Sequence, residues 1–241
     1  MTLLQLRIAA SNVQVAAPQS MGRVSVLKSV RIFYTKGGRM RFVSHLDMTR
    51  FMIRMLRKAG LPIWYTEGFH PHAYVTFALP LSLGFESRCE IMDIRLEDDS
   101  YPIDTICDSL NAVFPEYVHA YAVSEPVQKV GKIAAARFDI AFSDNGALRA
   151  SLSQFLTLPE INCTKKTKSG AEKQIDLKQK MWDVSLNEQC DTVLTLTLPA
   201  GGQDNVNPEL LCDAYFATAD SYYPYIITRT AVLDADGKDF E

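Results

Sequence analysis

The feature that most constrains this chain is the order in which its apolar periodicity changes. Residues 30–35 are β-rich and residues 45–58 carry a helical period. Residues 62–66, 73–78 and 89–96 read as short strands, 102–113 as a helix and 117–123 as a strand. After a linker at 126–132 the order recurs: strand 134–143, helix 145–157, strand 161–167, strands near 172–186 and 191–198, helix 207–218 opened by Asn207-Pro208, and strand 224–232. A chain that twice runs β-α-β-β-α-β is expected to be α+β, built as two tandem ferredoxin-like βαββαβ halves. The expected layout is a weakly ordered extension at 1–28, a first half at 29–125, the linker at 126–132, a second half at 133–232 and a tail at 233–241, with Met21 as an alternative start to Met1. The segment 165–173 reads as a hairpin with Gly170 in its loop, and 201–208 as a turn before the last helix.

The first helix is the best delimited element. Leu46, Met48, Phe51, Met52, Ile53, Met55 and Leu56 cover one broad arc, while Asp47, Arg50, Arg54, Arg57 and Lys58 fall on the other side at i, i+3, i+4 and i+7 spacing. Ser44 is placed to cap its start with Asp47 three positions on, and Gly60-Leu61-Pro62 supplies the stop. Such a stripe is either a solvated face or an anion-binding one. The regional charge bears on the choice. Residues 23–60 hold ten Lys or Arg against one acid, a local charge of +9, whereas residues 61–125 hold two Arg against eleven acids, −9. The net charge of −3 conceals this split. A basic edge on an acidic protein suits a phosphate-rich ligand held at one place, or a contact with another subunit, better than general adhesion to nucleic acid.

With 47% hydrophobic and 22% charged residues, the chain has the composition of a globular protein large enough for two modest cores. No apolar run reaches the ~18 residues of a membrane span, and the first 20 residues lack the layout of a secretion signal, so a cytoplasmic location without membrane contact is expected. Cys89, Cys107, Cys163, Cys190 and Cys212 are odd in number and scattered, and none forms a C-x-x-C pair. That spacing speaks against a zinc ribbon, a thioredoxin-type site or a local iron–sulfur motif, and for reduced, mostly buried thiols.

The loop after the helix holds His70-Pro71-His72 between Gly68 and Gly84, with His45 at the helix start. Three imidazoles could close on a metal, but Phe69, the proline and the lack of a nearby carboxylate or thiol favour a stacking or hydrogen-bonding turn, and no metal or cofactor is expected.

The run from Phe42 to Ser87 and the following EIMDIRL segment resemble the hallmark region of an uncharacterised bacterial domain family associated with radical S-adenosylmethionine proteins. The residues that carry the resemblance are Ser44, His45, Asp47, Arg50, Gly60, Leu61, Pro62, Gly68, Phe69, Pro71, His72, Pro80, Gly84, Glu86, Ser87, Glu90 and Asp93, with Arg229-Thr230 as a later mark. Where members fused to a radical enzyme tend to carry Asn-Pro-His, this chain has His70-Pro71-His72, which leaves His72 as the candidate group; the basic residue usual after that turn is replaced by Ala73 and Tyr74. The chain lacks the three closely spaced cysteines of a radical S-adenosylmethionine enzyme. The resemblance therefore implies an accessory to a separate radical enzyme, with a link to RNA through the ribonuclease and ribosomal genes that accompany such proteins.

Two classes of function follow. In a non-catalytic binding module, Arg39, Arg41, Arg50, Arg54 and Arg57 neutralise phosphates of an RNA or nucleotide-bearing substrate, while Tyr65, Phe69 and His72 stack on bases, with His45 adjoining. In an enzyme acting at a phosphate or acyl centre, His45 or His72 is the acid or base, oriented by Asp47, Glu86, Glu90 or Asp93. A protein–protein adaptor is the third alternative.

Overall fold

The computed structural model describes residues 27–143, 148–166, 170, 172–187, 193–202, 204–219 and 221–241. Residues 1–26 of the expected extension, residues 167–169 and 171 at the expected hairpin tip, and Cys190 lie outside the described residues. Strand β1 (Lys28–Lys36) is followed by a 3-10 helix (Gly38–Phe42), helix α1 (His45–Lys58) and strands β2 (Val75–Phe77) and β3 (Glu86–Leu96). A 3-10 turn at Ile103–Thr105 leads into α2 (Ile106–Asn111) and then β4 (Val118–Ser124). These strands lie in the order β4-β1-β3-β2, each pair antiparallel. Lys28 already pairs with Leu96, so the sheet begins inside the stretch assigned to the extension.

The second series is β5 (Ala135–Phe142), α3 (Leu148–Leu156), β6 (Asn162–Lys166), β7 (Glu172–Asp176), β8 (Asp183–Leu186), β9 (Val193–Pro199), α4 (Glu209–Ala219) and β10 (Tyr225–Leu233). Its main strands run β10-β5-β9-β8, antiparallel, while β6 and β7 pair as a separate two-stranded sheet. The two series join where β10 lies parallel to the start of β3, with Thr228 opposite Glu86 and Arg229 opposite Ser87. One eight-stranded mixed sheet results, and the fold is α+β.

Period-2 alternation explains the layers. In β1, Val30, Ile32 and Tyr34 face α1 and α2 and pack with Met48, Met52, Leu56, Ile106 and Leu110, together with Met92, Ile94 and Leu96 of β3. A second core gathers Phe138, Ile140, Leu194 and Leu196 of the sheet under Leu148, Leu152, Leu211 and Tyr215 of α3 and α4. Among the described residues no helix is long and apolar enough to cross a membrane.

Two expected elements differ. Residues 62–66 form no strand, only isolated bridges of Ile63 to Leu96 and Tyr65 to Ala73, because the segment changes partner from β3 to residues 72–74 between the two. The expected helix at 102–113 opens as a 3-10 turn behind Pro102 and narrows to the six residues of α2. Asn111 ends it by clamping Ala120 of β4, donating to its carbonyl and accepting from its N–H, both at 2.8 Å.

Candidate nucleic-acid interface

Helix α1 starts where local chemistry dictates. Ser44 is extended (φ −63°, ψ 159°), its Oγ accepts from the Asp47 N–H at 3.2 Å and donates to Asp47 Oδ2 at 2.8 Å. Asp47 also pairs with Arg50 at 3.2 Å on the exposed surface. Met48, Met52, Met55 and Leu56 are buried, and Arg50, Arg54, Arg57 and Lys58 are exposed, so the amphipathic reading of the helix is what positions the cationic stripe. Gly60 follows at φ +74°, ending the helix in the left-handed region that suits glycine.

The last turn of α1 holds the next segment. Arg57 Nε donates to the Tyr65 hydroxyl at 2.5 Å, and the guanidinium lies 5.3 Å from the Tyr65 ring centroid. Beyond Tyr65 the chain closes a loop: the Thr66 N–H donates to the His72 carbonyl at 2.9 Å and the Thr66 hydroxyl lies 2.9 Å from His72 Nδ1. Phe69, in this closed loop, is 100% exposed. Arg57, Tyr65, Phe69 and His72 are therefore brought onto one local structure. His45 instead packs edge-on against Phe77 with ring centroids 5.2 Å apart. Among the described residues neither His45 nor His72 is joined to a carboxylate by a hydrogen bond or ion pair, and no group of three His, Cys, Asp or Glu is placed to hold a metal ion.

The other two arginines sit on the 3-10 helix before α1. Arg39 is exposed, while Arg41 pairs with Glu86 at 3.5 Å and stacks 4.7 Å from the Phe42 ring centroid. Glu86 Oε1 also accepts from the Gly38 N–H at 3.1 Å. Gly38 has φ +49°, and a Cβ there would come within 2.3 Å of the Tyr117 ring, so this approach of the 3-10 helix requires glycine. Asp93 pairs with Arg31 on β1. Glu86, Glu90 and Asp93 are thus each committed to a different arginine.

Beneath this surface lies a cluster in which Glu90 and Arg229, both among the motif residues, meet Lys36 and Tyr34, which the motif does not include. Lys36 and Glu90 occupy inward positions on otherwise apolar strand faces, beside Tyr34, and Arg229 reaches Glu90 from β10. Arg229 Nη2 also donates to the Leu79 carbonyl at 2.8 Å, and Lys36 Nζ donates to the Val43 carbonyl at 3.1 Å, next to the cap of α1. A charge repeated on the buried face of a period-2 pattern is the signal that could have found it. Burial lowers the Lys36 ammonium from its ordinary value, Glu90 pulls it back up and Arg229 adds to the lowering. Burial raises the Tyr34 phenol well above its ordinary value, Glu90 adds to this and Arg229 opposes it. Burial raises Cys107 and pushes Cys89 and Cys163 up to about 11 and Cys212 up to about 12, which keeps these four as thiols at neutral pH.

Among the described residues the Tyr34 hydroxyl has no hydrogen-bond partner, which makes it a test of the cluster. Tyr34→Phe is expected to be neutral at pH 7 or to stabilise by up to ~1 kcal/mol, because a buried unpaired polar group is removed. With a raised folded pKa, the Tyr34 contribution is whole below the unfolded phenol value near ~10 and falls as pH rises toward the folded one. Urea unfolding should therefore show the variant losing less stability than wild type between about pH 10 and 11; a loss above ~1 kcal/mol at pH 7 would mean that the hydroxyl is satisfied.

Comparison with known proteins adds one clear finding. A family model described as "Uncharacterized protein conserved in bacteria (DUF2344)" matches residues 29–208. No curated protein matches the sequence. Among solved structures, the "Crystal structure of putative glycine cleavage system transcriptional repressor" aligns with 14% identity over 85% of this chain and 99% of that one, at a TM-score of 0.27, too low to carry an argument.

Proposed function

The chain belongs to this uncharacterised bacterial family (DUF2344), and from that premise we propose that it is a cytoplasmic, non-catalytic module that binds RNA or a nucleotide-bearing substrate as accessory to a separate radical S-adenosylmethionine enzyme. In this reading 29–125 and 133–232 are two ferredoxin-like halves; the strand orders β4-β1-β3-β2 and β10-β5-β9-β8, each with two helices, support it. The observation that carries the ligand class is Phe69, fully exposed in a loop tied back through His72, Thr66 and Tyr65 to Arg57 at the end of an exposed cationic helix face. An apolar ring held in water on a loop anchored to a guanidinium is what base stacking near phosphate neutralisation needs. Arg50, Arg54 and Arg57 would meet phosphates with Arg39 and Arg41 flanking them, and Tyr65, Phe69 and His72 would meet bases. The radical-enzyme partnership rests on the sequence resemblance and on cysteines too scattered to hold a cluster of that type.

The test is a salt series of binding to total tRNA and rRNA fragments. Arg50→Ala/Arg54→Ala is expected to weaken binding about tenfold at low salt and to reduce the slope of log K against log salt by ~1.4–1.8, two phosphate contacts at ~0.7–0.9 each. Phe69→Ala is expected to weaken binding about fivefold with the slope unchanged. Absence of RNA binding at low salt, or equal slopes for wild type and the double variant, would remove the reading.

A further inference from the structure

The face of the sheet turned away from α1 and α2 carries its own cleft. It has a volume of about 650 Å³, within the usual range for small-molecule sites, and it spans β1, β3, β4 and β10. Its floor is the outward set of the same strands, Phe33 and Thr35 on β1 and Cys89 and Ile91 on β3. Its wall is the C-terminal segment, which is firmly built: Asp239 bridges to Leu233, the Phe240 N–H donates to the Val232 carbonyl at 2.9 Å, and the Glu241 carbonyl accepts from the Gln128 N–H at 3.0 Å. Phe240 is buried and lies 4.8 Å from the Arg31 guanidinium.

Three separate breaks of strand register converge on this cleft. On β4, Phe33 pairs with Ala122 and Tyr34 with Ala120, so Tyr121 is the extra residue. On β3, Tyr34 pairs with Glu90 and Lys36 with Ser87, so Arg88 and Cys89 together oppose Thr35. On β10, Arg229 pairs with Phe138 and Ala231 with Arg137, so Thr230 is extra. Tyr121, Arg88, Cys89 and Thr230 all line the cleft. A bulge interrupts the ladder and re-aims a side chain, and three of them directed at one cavity mark a built site more than a packing accident.

The side chains define the ligand. Tyr121 is 47% exposed and tilts 39° against Phe33 with ring centroids 6.2 Å apart, an aromatic surface for a planar heterocycle. Arg88 is exposed and, among the described residues, has no hydrogen-bond or ion-pair partner, which leaves its fork open for an anion. Arg88 follows Ser87, which stands opposite Arg229, whereas Asp239 bridges to Leu233, so about three residues of strand, ~10 Å, lie between the two backbone positions. We propose that the cleft binds a nucleoside monophosphate, with its base on Tyr121 and Phe33, its amino edge toward Asp239 and its phosphate on Arg88. This site lies across the sheet from α1 and does not depend on the RNA reading.

Calorimetric titration of the full chain with AMP and with adenosine tests it. AMP is expected to bind more tightly than adenosine; Arg88→Ala should weaken AMP at least tenfold and leave adenosine unchanged, and Tyr121→Ala should weaken both. Arg50→Ala/Arg54→Ala should leave AMP affinity as it is, which separates this site from the α1 face. Arg88 and Tyr121 are both exposed, so a loss of affinity in these variants reports on the ligand and not on folding. No binding of AMP, GMP, CMP or UMP at millimolar concentration would overturn the proposal. So would AMP affinity unmoved by the Arg88 and Tyr121 variants, or lowered only by the α1 double variant.

Discussion

Arg229→Ala is expected to remove about 3–5 kcal/mol of folding stability, because it leaves the Glu90 carboxylate buried without its cation. Both partners are almost fully buried, and Arg229 additionally holds the Leu79 carbonyl, so one substitution also frees the segment leading to Pro80. The pair crosses the junction at which β10 meets β3, and the junction itself has only a short run of parallel pairing. Loss of the pair should therefore appear as earlier unfolding in urea with a lower m-value, if the two series begin to open separately. Arg229→Met/Glu90→Leu is the informative companion: with both charges gone, stability should return to within ~1–2 kcal/mol of wild type. A single variant that costs under ~1 kcal/mol would mean that water already reaches Glu90.

Asp93→Ala is expected to cost about 2–4 kcal/mol, somewhat below the range for a fully enclosed pair because the Asp93 side chain is 18% exposed. Asp93 stands opposite Arg31 across β1 and β3 and accepts from Nε at 2.7 Å and from Nη2 at 2.8 Å. Arg31 is 1% exposed, its Nη1 has no hydrogen-bond partner among the described residues, and its guanidinium also lies against the Phe240 ring. Without the carboxylate, the guanidinium must either stay buried unpaired or push Phe240 aside. Hydrogen exchange would distinguish the two: faster exchange at the Phe240 N–H, which bonds to Val232, is the expected result. Asp93→Asn should lose less than the alanine variant, since its amide keeps one acceptor for the fork.

Much of the secondary structure was legible because its causes are local. The bounds of α1 follow from Ser44 and Asp47 at one end and Gly60-Leu61-Pro62 at the other, groups that act on backbone within a turn. Strands β3, β4, β5 and β10 were legible through alternation alone. Where long-range contacts override a local preference the element differs, as at 62–66, where two bridges to different partners replace a strand, and at 102–113, where Asn111 ends α2 early by bonding to β4. For the candidate surface, the exposure of Arg50, Arg54 and Arg57 follows from helical spacing, but the attachment of Arg57 to Tyr65 depends on a chain reversal that spacing does not encode.

By itself, then, the sequence determined the α+β character, the capped cationic helix and the absence of a local cysteine cluster motif, since each depends on residues within a few positions of one another. The tertiary structure alone decided the parallel joining of β3 with β10, the pairing of Glu90 with Arg229 across 139 positions, and the convergence of three bulges on one cleft. These depend on register between strands far apart in the chain. Register is set by which faces are buried together and where a ladder slips by one residue, and no local propensity carries that information.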